Sequence, residues 1–354
     1  MAVASTVCIV GCGAMTALGY SAPMTAASVR ASLSRFRESP MIDKVGEPML
    51  LSMTRFLNPE IQDLDRLLAL GTHAAKEGLE PLVKVTERSG RFSPEIGLCL
   101  GLPSSRPGLK PDLAGPLCSQ LIAQLLPWRL AAETVFETGH ASGLMAIEHA
   151  VDLIRAGTEF VLAGGVDSYY SAETLEWLDQ TGRLHSEANM DGFIPGEGAG
   201  FCLLTSSATA LRYGLSPLAE VLSAESGEEP HPLISDGVCL GQGMTGVFSK
   251  VLSVPVPAPK VADWTLCDMN GESFRSTEWM YAYLRTGRKH RDPLQLWHPA
   301  DCYGDIGAAS GPVLAGIAMA AWRRSYARGD RCLVWTASEG KHRSAALLQR
   351  ASVS

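Results

Sequence analysis

Short runs of apolar and β-branched residues alternate with stretches of helical periodicity along most of the chain, as in parallel strands joined by helical crossovers. In the first part, residues 7–10, 96–100, 134–136, 160–163 and 200–204 read as strands, and 142–155 as a helix. In the second part, 218–223, 264–268, 294–297, 332–336 and 344–348 read as strands, with a helix over about 306–324. The two series run through similar elements at similar spacing on either side of a seam near 206–216. The pattern predicts an α/β protein of two pseudo-duplicated halves, 1–205 and 206–354, with loops from both meeting at one site. Pro255-Val-Pro-Ala-Pro259 reads as a stiff connector.

Composition narrows the function classes. Of 354 residues, 46% are apolar and 19% charged, which suits a heavily buried core. With 37 acidic against 30 basic residues, a net charge of −7, a basic nucleic-acid-binding domain is not expected. The nine cysteines are odd in number, lie mostly in apolar runs and form no CxxC. They read as buried thiols of a reducing, cytoplasmic compartment, and the eight histidines show no zinc-type spacing, so no metal is expected. The stretch 306–322 has 17 uncharged residues, short of the about 20 that a bilayer needs, and reads as a close-packed buried helix. No Lys or Arg precedes Arg30, so the positive segment of a secretory signal is missing and no membrane association is expected. Gly11-Cys12-Gly13 follows an apolar strand, but Thr16 stands where a dinucleotide fingerprint has its third glycine. The glycines therefore read as a tight strand-to-helix turn, and no cofactor is expected. Arg323-Arg324 and Arg288-Lys289-His290-Arg291 read as solvated helix ends.

Five segments carry a stronger signal. They are Thr134-Val-Phe-Glu-Thr-Gly-His-Ala-Ser142, Phe160-Val-Leu-Ala-Gly-Gly-Val-Asp-Ser168, Asp191-Gly-Phe-Ile-Pro-Gly-Glu-Gly-Ala-Gly200, Met269-Asn-Gly-Glu-Ser273 and Tyr303-Gly-Asp-Ile-Gly-Ala-Ala-Ser-Gly311. In this order they resemble the β-ketoacyl synthase branch of the thiolase superfamily, over almost the whole chain. The resemblance implies a five-layered αβαβα thiolase-like fold and a homodimer built around the strand near 132–136. It also implies an acyltransferase that uses a thiolate at a helix start and two histidines.

Each of those catalytic positions is altered. By the resemblance, the nucleophile position is Phe136, the first histidine position is Asn270 and the second is Asp305. The accessory lysine position is Ala300, and Ser338-Glu-Gly-Lys-His-Arg-Ser344 replaces the glycine-rich gate. A phenyl ring forms no thioester, so condensing activity is not expected. A closer resemblance is to thiolase-like proteins associated with bacterial type VI secretion effector clusters. It rests on Ala26-Ala-Ser-Val-Arg-Ala-Ser-Leu-Ser-Arg-Phe-Arg-Glu-Ser39, Asn270-Gly-Glu-Ser-Phe274 and His298-Pro-Ala-Asp-Cys-Tyr-Gly-Asp305. This implies an accessory or adaptor protein in effector loading, with a secretion effector or adaptor as partner. The alternative is an acyltransferase, or a noncatalytic chain-length-factor-type subunit of a synthase heterodimer with an acyl carrier protein as partner.

The candidate pocket residues are Glu137, His140, Glu272, His298, Asp301 and Cys302. Cys302 beside His298 offers an activated thiol, against a packing role; Glu137 and His140 offer capping or catalysis. With Phe136 filling the nucleophile space, a shortened cavity lined by Phe136, Asn270, Glu272, His298 and Asp305 is expected. Its acidic groups would be paired by His298 and helix-start amides.

Overall fold

The computed structural model describes residues 6–89, 94–256 and 261–352; the 255–259 connector lies partly outside them. The first half runs β1 (Val7–Thr16), α1 (Ala22–Arg30), a small hairpin of β2 (Arg37–Ile42) and β3 (Pro48–Leu51), and α2 (Asp63–Ser89). It continues with β4 (Glu95–Gly101), α3 (Ala114–Gln124), β5 (Arg129–Phe136), α4 (Ser142–Arg155), β6 (Phe160–Ser168), α5 (Ala172–Gln180) and β7 (Glu197–Ser206). A short helix, α6 (Ser207–Tyr213), occupies the seam: the Ser206 hydroxyl caps it by accepting from Thr209 N at 3.0 Å. Gly214, at φ 64°, ends it in the left-handed conformation that glycine adopts without penalty.

The second half runs β8 (Ala219–Glu228), α7 (Gln242–Val251), β9 (Trp264–Cys267), α8 (Ser273–Thr286) and β10 (Leu296–Trp297). It ends with α9 (Ala300–Tyr303), α10 (Ser310–Arg323), β11 (Arg331–Ala337) and β12 (His342–Arg350). The strand order is β5-β4-β6-β7-β1 in the first half and β10-β9-β11-β12-β8 in the second. The senses of pairing match strand for strand: in each half the first two pairings are parallel and the last two antiparallel. A two-residue antiparallel bridge, Cys8↔Glu220 and Ile9↔Ala219, joins β1 to β8.

Helices α2 and α3 cover the outer face of the first set of strands, and α7 and α8 that of the second. Helices α4 and α10 lie between, each packed against strands of both halves. The result is five layers, αβαβα, with the largest core around the two central helices, including Ile147, Val151, Val313 and Ile317. Their apolar stripes differ as the packing requires: α10 is buried nearly all round, whereas Glu148 and Asp152 give α4 a polar edge.

Gly11 and Gly13 do not form a turn. Both lie inside β1, paired with β7, and a Cβ on Gly11 would stand 2.1 Å from Gly78 O of α2. The glycines let helix and sheet approach backbone to backbone, a packing need that shares its sequence pattern with a phosphate-binding turn.

Candidate functional site

Two equivalent corners of the repeat build the site. In the first half, β5 ends at Phe136, and Gly139 at φ 78° opens a 3-10 turn that runs into α4. In the second, α9 is followed by Gly307 at φ 49°, a 3-10 turn and α10. The segments read Phe136-Glu-Thr-Gly-His-Ala-Ser-Gly143 and Gly304-Asp-Ile-Gly-Ala-Ala-Ser-Gly311, so Glu137 and Asp305 hold corresponding positions. Their environments differ: Glu137 is exposed, and Asp305 is buried.

Asp305 is the hub of a closed polar network. Its carboxylate accepts from His140 Nε2 at 2.8 and 2.9 Å, from Asn270 Nδ2 at 2.6 Å and from Gly307 N at 2.8 Å. His140 Nδ1 lies 3.4 Å from Glu339 Oε2. The Arg183 guanidinium grips both oxygens of Glu272, at 2.7 and 2.8 Å, and reaches Glu339 at 3.2 Å. Beneath them, fully buried Arg275 approaches Asp268 and Glu272 at 3.4 Å each and Glu339 at 3.5 Å. A second clamp stands alongside: Arg106 Nη2 donates to Asp167 Oδ1 at 2.6 Å, and Ala308 N to Asp167 Oδ2 at 3.0 Å.

The charges settle the protonation states. Burial alone would push the His140 imidazole down, but the Asp305 and Glu339 carboxylates beside it hold it up at about 10. For Asp305, burial disfavours ionisation, yet the charge and hydrogen bond of His140 and the charge of Arg275 bring it down to about 2. Glu339 is likewise held well below the usual carboxylate range by His140, Arg183 and Arg275 against the effect of burial. At neutral pH His140 is thus an imidazolium donating to Asp305, with no free lone pair to act as a base.

A cavity of about 1090 Å³ opens above this network, lined among others by Arg106, Glu137, His140, Tyr169, Arg183 and Glu272. Of the sequence-derived candidates, it therefore gathers Glu137, His140 and Glu272. His298, Asp301 and Cys302 stand elsewhere. His298 Nδ1 pairs locally with Asp301 Oδ2 at 2.9 Å, and both side chains face solvent. Cys302 packs into the central core, where burial pushes its thiol up, the opposite of activation. The imidazole that neutralises Asp305 is His140, not His298, while the expected helix-start amide is Gly307 N. Nor does Phe136 shorten the cavity: its half-buried ring packs at the edge of the central core, edge-on to His149 at 5.9 Å. Sequence reasoning missed Arg106, Arg183, Arg275 and Glu339 as site residues; they come from four separate segments.

Among the described residues, one group has metal-like proximity: Glu229, Cys239 and Glu278. Arg343 Nε donates to Glu278 Oε1 at 2.6 Å and Gly243 N to Glu229 Oε2 at 2.7 Å, while Glu278 Oε2 has no hydrogen-bond partner among the described residues.

The layers, sheet order and paired corners define the thiolase-like fold of the ketosynthases. Residues 119–210 match the N-terminal domain family of the β-ketoacyl synthases. The chain superposes on a type II polyketide synthase ketosynthase solved in complex with its acyl-carrier protein, with a TM-score of 0.80 and 14% identity, covering 99% of this chain and 100% of that one. The ishigamide ketosynthase/chain length factor gives a TM-score of 0.78 at 17% identity, covering 99% and 100%. Sequence similarity is more local. The actinorhodin polyketide putative β-ketoacyl synthase 2 of Streptomyces coelicolor is 36% identical over 83 residues, 20% of each chain. The oxytetracycline polyketide putative β-ketoacyl synthase 1 of Streptomyces rimosus is 31% identical over 140 residues, 35% of this chain and 30% of the relative. The matched stretches thus span less than a third of the curated relatives' length. Among the described residues, no helix is long and apolar enough to cross a membrane.

Proposed function

We propose that this chain is a catalytically silent ketosynthase-fold subunit, of the chain-length-factor type, that acts through protein partners. The observation that carries this reading is the His140–Asp305 pair. At the positions aligned with the family's nucleophile and histidines stand Phe136, Asn270 and Asp305, and the last two are bonded to each other at 2.6 Å. A thioester carbonyl arriving there meets a carboxylate where it needs a hydrogen-bond donor. Among the described residues, the Arg106, Arg183 and Arg275 guanidinium groups each already serve a carboxylate.

The partner we favour is a second ketosynthase-fold chain, identical or related, seated on β5, whose outer edge is unpaired among the described residues. An acyl carrier protein is the further partner this reading implies. Support comes from the solved relatives, one a ketosynthase/chain length factor and another a ketosynthase complexed with an acyl-carrier protein.

A second reading, an adaptor for type VI secretion effectors in the cytoplasm, draws on a different observation. The three runs that resemble that group meet in space: Arg35 N donates to Cys302 O at 3.2 Å, and Asn270 bonds Asp305. They form one neighbourhood that a partner could address.

The test is direct. Incubated with acyl and malonyl thioesters, the protein should keep its intact mass and release no carbon dioxide. A stable acyl adduct would overturn the silent reading. Light scattering at micromolar concentration should give twice the monomer mass, and a monomer throughout would remove an identical chain as the β5 partner.

A further inference from the structure

The chain carries a net charge of −7, yet one face is strongly basic. Helices α1, α2 and α10 have Arg30, Arg88 and Arg323 in their last turns. A helix C-terminus has partial negative charge, so one cation at each end is accounted for. The surplus is not: Lys84, Arg324 and Arg350 join them around two adjoining cavities of about 620 and 540 Å³. Among the described residues, no acidic one lines either cavity. Among the described residues, Arg30, Arg88, Arg323 and Arg324 form no ion pair, and Lys84 and Arg350 make only exposed contacts, to Glu80 at 3.5 Å and Asp330 at 3.8 Å.

The smaller cavity has an apolar floor under this rim. Ala22 and Ala26 of α1 face Gly316 and Met319 of α10, and a Cβ on Gly316 would stand 2.9 Å from Cys12 Sγ. The missing side chain keeps the floor open. Arg30 lies 4.3 Å over the Tyr326 ring at the mouth, which fixes its position. Leu218, Met319 and Arg323 line both cavities, so Arg323 stands where the apolar lobe meets the more basic one. The cleft is separate from the buried network, which sits at the other end of α10, 14 residues or roughly 21 Å away.

We propose that this cleft binds a single-chain anionic amphiphile, its phosphate or carboxylate held at Arg323 between Arg30 and Arg324 and its aliphatic tail laid over Gly316 and Met319. A cavity of this size suits a small-molecule ligand, and an uncompensated cation cluster above an apolar floor matches a charged head on a hydrocarbon tail.

Titration calorimetry of the full chain with monododecyl phosphate, below its micelle concentration, tests this. Dodecanol and inorganic phosphate serve as the uncharged and tail-less arms. Saturable one-to-one binding of dodecyl phosphate is expected, at least about tenfold tighter than either arm. The Arg323→Glu/Arg324→Glu variant should lose about the same factor. Ala27→Trp, at the exposed mouth, should block the site without changing the melting temperature. Equal binding of dodecanol would reduce the site to an apolar crevice, and equal binding of inorganic phosphate to an adventitious ion only; either overturns the proposal. So does undiminished binding by the charge-reversed or the Ala27→Trp protein.

Discussion

His140 and Asp305 are 165 residues apart, come from opposite halves of the repeat, and meet at 2.8 Å with both side chains about 1% exposed. Burying two charges is costly unless each is fully satisfied. Here Asn270 and Gly307 N bond the remaining lone pairs of Asp305, while the far nitrogen of the imidazolium has the Glu339 carboxylate at 3.4 Å as a counter-charge without a hydrogen bond. The pair is a structural ion bridge across the seam.

Its pH dependence has a definite sign. His140 is raised from 6.5 to about 10 on folding, so its contribution is complete below pH 6.5 and fades as pH rises through 10. Asp305 is lowered from 3.8 to about 2, so its contribution is present above pH 3.8 and fades as pH falls through 2. Both titrations describe one interaction, counted once. Denaturant melts across this range should show the largest stability difference between wild type and His140→Gln at about pH 4–6.5. A flat difference would mean that the imidazole is neutral.

Breaking the pair from one side should cost more than removing it. His140→Leu leaves Asp305 facing Asn270 and Arg275 without its main counter-charge, a loss of about 3–5 kcal/mol. Adding Asp305→Asn should recover part of that loss, giving a sub-additive double-mutant cycle in urea denaturation.

Phe136 offers a test of the silent site. Because its ring is half-buried, Phe136→Ala should cost about 2 kcal/mol, less than the roughly 3–5 of a fully enclosed ring. Phe136→Cys restores a thiol but not the imidazole donors, so intact-mass measurement with acyl thioesters should still find no enzyme-bound acyl group. Turnover by that variant would show that Asn270 and Asp305 do support the chemistry.

The strand glycines make the sharpest stability prediction. Gly11→Ala drives a methyl into Gly78 O and should cost about 3 kcal/mol or more, read as a lowered melting temperature. Gly246→Ala, in α7, where a Cβ meets nothing within 4 Å and the backbone is helical, leaves α2 and β1 in place and serves as the control.

What the chain reveals by reading follows the range of the interaction. The helix predicted over 142–155 coincides with α4, and the strand predicted over 96–100 lies within β4, because a local apolar pattern specifies both. Asp305 and Glu272 were accessible through motif spacing. Arg183 and Glu339 were not, because no local pattern marks a charge whose partner lies tens of residues away, and the three-residue spacing of Glu272 and Arg275 looks like any helical ion pair. His298 misled for the converse reason. It is close to Asp301 in sequence, and that local pair satisfies both residues at the surface, outside the cavity.

The middle layer has a consequence for biogenesis. Helix α4 is enclosed on one flank by β4 and β6 and on the other by β8 and β12, which are made later. When the first 205 residues have left the ribosome, Leu144, Ile147 and Val151 have only part of their final surroundings. Their cover arrives with the last strands, so the apolar flank of α4 is closed only once β8 and β12 are made.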